Sequence, residues 1–256
     1  MSRVAGPHTA RARARVQMLE QIKREALAQL AAEGAPGLSL RQIARELGLV
    51  SSGLYRYFAS RDELLTALIV DAYADLARAI EDADGGLDQH DYRRRWLLRG
   101  KSLRSWARSE PARYQLIYGS PVPGYSAPPD TIAPAGAVIL ALLRVLAEAG
   151  AAGTLAERPD PGDPELVAQL AGMGEALALD LPVGTLAQAI GALGEVFGLL
   201  ALELGGHLVG GFEPADSLFE HSLNELADRI GLPESTSCAI TQPPEGSNAD
   251  EGTSVH

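Results

Sequence analysis

Apolar side chains recur along most of this chain at the three- and four-residue spacing of an α-helix. The first such stretch should run from about residue 11 to Glu33, and its apolar face carries Val16, Leu19, Ile22, Ala26, Leu27 and Leu30. We find no run in which apolar and polar residues alternate as they do in a half-buried strand. The pattern therefore predicts an all-α protein, with about nine helices.

Two much shorter helices follow, joined by a tight turn. Ser39 and Gln42 have the spacing of an N-terminal capping box at the start of the first one. Gly48 follows its end, where a backbone with positive φ favours glycine. The second short helix should run from Ser51 to about Phe58. This arrangement is a helix-turn-helix, whose second helix can enter the major groove of DNA.

The segments IARELG, LYRYF and SRDELL within this region resemble the DNA-binding domain of the TetR family of transcriptional regulators. The resemblance implies an all-helical homodimer that binds a palindromic operator. It also implies release of that operator when a small molecule enters the C-terminal domain. The chain departs from the family pattern at Ser52, where many members carry glycine, and at Gly53, where they carry a small side chain.

The helix-turn-helix geometry and the resemblance together give a set of candidate DNA contacts. The start of the second helix meets base edges, and an arginine in it can read guanine through a bidentate contact. The resemblance adds two tyrosines that donate to phosphate and residues at the starts of neighbouring helices. The expected contacts are Arg15, Ser39, Arg41, Ser51, Ser52, Gly53, Tyr55, Arg56, Tyr57 and Arg61. The alternative is a three-helix bundle that never contacts DNA.

The distribution of charge favours DNA binding, although the overall net charge of −11 argues against it. Up to Arg61 the chain has ten basic and four acidic residues, a net charge of +6, so the remainder carries −17. A basic region on an acidic body is typical of a protein that meets phosphate with one end only. The acidic part would repel DNA and orient the molecule.

Composition and the positions of helix-breaking residues divide the chain into four parts. We expect a mobile arm over residues 1–10, a DNA-binding head over residues 11–60, a ligand-binding and dimerisation body over residues 61–231, and a disordered tail over residues 232–256. The helix that begins at Arg61 should reach about Ala83, long enough to join head and body. Beyond it, Arg93, Arg94 and Arg95 form a charge run that we interpret as a solvated face.

The resemblance implies a small-molecule site in the body, and large side chains are the candidates for its walls. They suggest a mostly hydrophobic effector. Residues 119–130, rich in proline and glycine, resemble a loop of actinobacterial TetR-like regulators and could frame its entrance; a rigid surface connector is the alternative. The candidate lining residues are Trp96, Trp106, Tyr114, Tyr118, Tyr125, Met173 and Phe197.

The last two helices, at about residues 183–209 and 214–231, look like the dimer interface of the family. Several glycines leave the surface of the first helix without side chains. Each glycine inside a helix lowers its stability by about 1 kcal/mol relative to alanine. Close approach of a partner helix would explain them, and two helices from each chain would form a four-helix bundle. The candidate interface residues are Gly191, Gly194, Gly198, Leu218, Phe219 and Leu223.

Enzyme chemistry is not indicated, since the sequence has no phosphate-binding glycine motif, nucleophile elbow or paired cysteines. Glu203 and His207 have a spacing that a metal site could use, but an ordinary hydrogen bond is the simpler interpretation. We therefore expect no cofactor, no catalytic or metal site and no membrane partner. The single cysteine, Cys238, fits a reducing cytoplasm, with the protein at the nucleoid.

Three functional hypotheses remain. The first is a repressor that a small hydrophobic molecule releases from double-stranded DNA. The second is a DNA-binding interaction or activator module without ligand control. The third is a metal-sensing variant.

Overall fold

A computed structural model describes residues 7–234 of the chain, with side chains from residue 10 onward. In this part the chain forms ten α-helices and two 3-10 turns, Ala35–Gly37 and Pro129–Thr131, and no strand, which confirms the all-α prediction. The helices are α1 Pro7–Glu33, α2 Leu40–Glu46, α3 Ser51–Leu54, α4 Arg61–Asp82, α5 Tyr92–Ser109, α6 Pro111–Tyr118, α7 Ile132–Ala151, α8 Pro164–Ala176, α9 Val183–Leu204 and α10 Asp216–Ile230.

The head has a hydrophobic core of its own, to which the first turns of α4 contribute. Ile22 of α1, Ile43 of α2 and Leu54 of α3 are fully buried in it. Val16, expected on the buried face of α1, is instead 59% exposed. The reason is that residues 10–17 are all exposed and lie beyond the helices on which α1 packs. The chain is already helical from Pro7, inside the expected arm.

The predicted capping box at the start of α2 forms in its first half only. The Ser39 hydroxyl accepts from the Gln42 backbone N–H at 3.4 Å, but the Ser39 N–H donates to the side chain of Gln29 at 3.1 Å. At the start of α4, where Ser60 and Glu63 have the same spacing, the Ser60 hydroxyl accepts from the Glu63 N–H at 3.1 Å. The Glu63 carboxylate in turn accepts from the Ala59 N–H at 2.5 Å, one residue before the cap. The bond from a backbone N–H to the hydroxyl of the capping serine thus follows from sequence spacing. The partner of the Ser39 N–H is instead supplied by tertiary packing.

The body packs around α7 and the second half of α4. Val138, Leu142 and Leu146 of α7 are almost fully buried against Leu76 and Ile80 of α4 and their neighbours. By length and hydropathy alone, the segment Pro129–Ala151 that contains α7, and α9 also, could each cross a membrane. The burial of α7 identifies it as the core helix of a globular body.

Arginines inside the body form a buried ion-pair network, contrary to the expectation of a solvated charge run. Arg95 and Arg99 are 7% and 5% exposed, and both donate to the carboxylate of Asp84, at 2.7 Å and 3.0 Å. Arg95 also pairs with Glu148. Only Arg94 of the run is exposed, while Arg93 is half-buried. The network joins α5 and α7 to the loop after α4.

The segment between α7 and α8 clamps the ends of the last helices. The Arg158 guanidinium donates to the carbonyls of Asp228 and Arg229, at 2.6 Å and 2.7 Å, at the C-terminal end of α10. The Asp160 carboxylate accepts from the Gly184 N–H at the start of α9, at 2.9 Å. Each charge is placed at the helix end that its sign stabilises. The linker therefore fixes α9 and α10 relative to each other.

Candidate nucleic-acid interface

The helix-turn-helix is built from α2, a glycine turn and α3. Gly48 has a φ of 66°, the left-handed conformation that glycine adopts without steric cost. Leu54 and Phe58 are 0% and 4% exposed, and they anchor the region from Ser51 onward in the head core. The regular part of the second helix is shorter than expected, because α3 ends at Leu54 and the chain turns before Phe58.

The outer surface of α3 and the following turn is polar and accessible. Ser51, Ser52 and Arg56 are exposed, and Tyr55 is 45% exposed. Gly53 is half-buried, and an added methyl group would meet only the Val50 side chain, at 3.6 Å. Packing inside the chain therefore does not require glycine here, which leaves room for the predicted close approach of DNA.

Two basic residues of the head, Arg41 and Arg56, remain available to a ligand. Arg41 is exposed on α2, and within residues 10–234 neither Arg41 nor Arg56 has a carboxylate partner within 4.0 Å. The Arg15 guanidinium lies over the ring of Tyr57, 5.2 Å from its centroid, so the basic end of α1 is brought beside the recognition segment. Arg15 and Tyr57, separate in the sequence, thus belong to one surface.

Two of the expected DNA contacts, Arg61 and Ser39, also make hydrogen bonds within the chain. The Arg61 guanidinium donates to the carbonyl of Ala35 at 2.6 Å, and acidic Asp62 and Glu63 share the first turn of α4. A phosphate at this helix start would also meet these two carboxylates, and the contact of Arg61 with DNA stays a prediction. The Ser39 hydroxyl caps α2. Ser39 is half-buried, so it still borders the surface.

Gln29 is a supporting residue that the sequence analysis missed. It is 4% exposed, its carbonyl oxygen accepts from the Ser39 N–H, and its amide nitrogen has no partner in the described chain. The Gln29 side chain therefore connects α1 to the start of α2. Its position seven residues after Ile22 and three after Ala26 places a polar residue on an apolar stripe, and that was the available signal.

The residues expected to line a ligand pocket divide into two groups. Tyr114, Tyr118 and Phe197 come together with Tyr73, with ring centroids 5.4 Å apart for Tyr114–Tyr118 and 4.4 Å for Tyr118–Phe197. Burial raises the pKa of Tyr114 to about 12. Burial, together with the neighbouring phenols, raises that of Tyr118 further. This aromatic cluster is closely packed in the body core.

The other four have contacts of their own. The Trp96 indole donates to the Leu223 carbonyl at 3.2 Å, and that of Trp106 donates to Asp75 at 3.1 Å. Both rings are buried core. Met173 is half-buried at the edge of the body core. The Tyr125 hydroxyl lies 2.9 Å from that of Thr66, so the proline-rich loop packs against α4 beside the head.

The candidate dimer residues fall on two different sides of α9 and α10. Gly191, Gly194 and Gly198 are exposed, and a methyl group added at any of them would meet nothing within 4 Å. Leu218 is half-buried. In contrast, Phe219 and Leu223 are 4% and 1% exposed and point into the core of their own chain, so their assignment to the interface is wrong. Leu223 packs on Gly100, where an added methyl group would clash at 2.6 Å.

The Glu203–His207 pair does not form. The Glu203 carboxylate instead accepts two hydrogen bonds from Arg104, both at 2.7 Å, while His207 is exposed. Arg104 also pairs with Asp216, which ties α5 to α9 and α10. No group of three metal-ligating side chains occurs between residues 10 and 234.

Comparison with known proteins agrees with this geometry. Residues 22–68 match the profile described as "Bacterial regulatory proteins, tetR family", and residues 96–226 match "Tetracyclin repressor-like, C-terminal domain". HTH-type transcriptional regulators of Mycobacterium bovis and Mycobacterium tuberculosis are 50% identical over 120 residues. That alignment covers 47% of this chain and 51% of each relative, so the chain spans about half the length of these proteins.

Solved structures resemble the whole described fold. The regulatory protein SCO4313 is 37% identical, with a TM-score of 0.69 over 85% of this chain and 98% of its own. A protein from Rhodococcus sp. RHA1, 24% identical with a TM-score of 0.61, covers 83% of this chain and 92% of its own and shares the fold.

Proposed function

The chain belongs to the tetR family of bacterial regulatory proteins, a family of regulators rather than enzymes, and we propose that it is a repressor that binds a palindromic DNA operator as a homodimer. A small molecule would release it. We place its action in the cytoplasm, at the nucleoid.

The single observation that carries this proposal is the exposed, basic face of the head. Ser51, Ser52, Tyr55 and Arg56 present hydrogen-bond donors and a cation outward from α3 and the turn after it, while Leu54 anchors them from behind. The remainder of the chain is strongly acidic, so the potential favours DNA at this face alone. Contacts to phosphate and to base edges require these chemical groups.

The homodimer is supported by the open glycine face of α9. Gly191, Gly194 and Gly198 line one side of a largely apolar helix, beside the exposed Glu195–Arg229 ion pair, and Leu202 further along is 44% exposed. A partner helix could approach this side closely. Two heads held by such an interface would meet two half-sites about 34–36 Å apart, one turn of DNA.

Footprinting on DNA that flanks the protein's own gene tests operator binding. We expect a protected two-fold site whose affinity falls steeply with salt, because each phosphate contact releases a counterion. Protection without sequence preference would contradict the proposal.

Sedimentation tests the interface separately. Gly194→Trp should yield monomers, since the bulky ring fits the free chain but blocks the partner helix. Gly172→Trp is the matched control, because Gly172 is also an exposed helix glycine with nothing within 4 Å of an added methyl group. Identical masses for the two variants would place the dimer interface elsewhere.

A further inference from the structure

A cavity of about 650 Å³ lies where the head meets the body, and no residue of the aromatic cluster lines it. Its head wall is the C-terminal end of α1 and the 3-10 turn after it, from Leu30 to Pro36. Its body wall is the start of α6 and the proline-rich loop, including Leu116 and Val122, and Leu204 at the end of α9 completes it. None of the seven residues expected to line a ligand pocket contributes to it.

The lining determines which molecules could bind there. Of the described residues that form the walls, none carries a charge. Leucine, valine, alanine and proline side chains dominate, and the Gln115 amide and the Ser120 hydroxyl are the polar side chains among them. A charged ligand would lose hydration without gaining a partner. The volume lies within the range of small-molecule sites, about 300–1,000 Å³.

Both walls are hydrogen-bonded to the start of α4, the helix that follows the DNA-binding face and joins head and body. The carbonyl of Ala35, a wall residue, accepts from Arg61 at 2.6 Å, and Arg61 is the first residue of α4, six residues after Tyr55. On the body side, the loop that contributes Val122 is held to α4 by the contact between Tyr125 and Thr66. A shift of the head relative to the body therefore changes the distance between the two walls.

We propose that this junction cavity binds an uncharged, largely apolar small molecule with one or two hydrogen-bonding groups, and that its occupancy fixes the position of the head relative to the body. The ligand contacts both units directly, so its differential affinity for two head positions shifts their equilibrium. This inference rests on the proposed function, since it names the site through which a small molecule would control DNA binding.

The probe for this site is the neutral dye N-phenyl-1-naphthylamine, whose fluorescence rises in apolar surroundings. We expect saturable binding to the full chain. Ala31→Trp, which fills the cavity from the head wall, and Ala112→Trp, which fills it from the body wall, should each weaken binding by about tenfold or more. Ala32→Trp is the matched control, because Ala32 is the exposed neighbour of Ala31 on α1 and lies outside the lining.

A second arm compares the dye with its 8-sulfonate, which adds only a charge to the same rings. Weaker binding of the sulfonate supports an uncharged ligand. Tighter binding of the sulfonate overturns the proposal, and so does equal dye affinity of the position 31 and position 32 variants. A position 31 variant whose oligomeric mass differs from that of the position 32 variant would make the cavity a protein contact, which also overturns it.

These outcomes are independent of operator binding. If the dye distinguishes Ala31→Trp from Ala32→Trp but footprinting finds no preferred DNA site, the proposed function fails and the cavity site stands. If an operator is found and the dye does not distinguish Ala31→Trp from Ala32→Trp, the cavity site fails and the proposed function stands.

Discussion

The accessible arginines of the DNA-binding face and the buried arginines of the body have opposite surroundings. In the head, Arg41 and Arg56 are exposed without a carboxylate nearby in the described chain. In the body, Arg95, Arg99 and Arg104 are at most 8% exposed and are held by carboxylates. The buried arginines of the body thus hold helices together through carboxylates, while Arg41 and Arg56 of the head keep their charge for a partner. Residue counts alone do not distinguish these two uses.

The largest test of this comparison removes the shared carboxylate of the body. Asp84→Ala leaves Arg95 and Arg99 buried without their common partner, and we expect unfolding free energy to fall by about 3–5 kcal/mol. Chemical denaturation measures it. Asp82→Ala is the control, because Asp82 is exposed at the end of α4. A loss below about 1 kcal/mol would show that water or other groups replace the carboxylate.

The corresponding change in the head should affect binding and leave folding intact. Arg56→Ala should weaken operator binding by about 1–3 kcal/mol, while unfolding free energy stays within about 0.5 kcal/mol. Fluorescence anisotropy with labelled DNA gives the affinity. Arg78→Ala removes a comparably exposed arginine from the body, with 70% of its side chain accessible, and should leave affinity unchanged. Equal losses in the two variants would mean that the charge acts only through the overall field.

A smaller effect is expected at the joint between the two regions. Ser60→Ala removes the hydroxyl that accepts from the Glu63 N–H, and loss of such a cap costs about 1 kcal/mol. Thermal and urea unfolding should both detect it. Ser105→Ala, in the exposed interior of α5, should be neutral or slightly stabilising, because alanine is the better helix former. If Ser60→Ala leaves the stability unchanged, the Glu63 side chain alone is sufficient to stabilise this helix start.

The smallest effect concerns pH. Burial raises the pKa of Tyr114 to about 12, whereas the unfolded chain releases this proton near pH 10. The unfolded state therefore loses its proton first, and stability should fall as pH rises from about 10 to about 12. The urea concentration at the midpoint of unfolding should fall less steeply with pH in Tyr114→Phe than in the natural chain. Tyr55→Phe, on the exposed head, controls for the loss of a phenol, and equal slopes in all three would contradict the burial argument.

Local spacing was sufficient to predict most helices and the helix-turn-helix. At α2, for example, the Ser39 hydroxyl caps the helix where the spacing predicts it, because an N-cap bond spans only two or three residues. The prediction of dimer residues was partly wrong, since helical spacing shows which residues share a face and leaves open which partner covers it. Phe219 and Leu223 face their own core, and the glycines of α9 face outward.

By itself, the sequence determined the helices, their starts at Ser39 and Ser60, the turn at Gly48 and the concentration of positive charge in the head, because each depends on neighbours within a few residues. Only the tertiary structure decided that Gln29 supports Ser39, that Asp84 gathers Arg95 and Arg99, and that a cavity opens between head and body. Those contacts join residues distant in the chain, and their partners are fixed by how the helices pack.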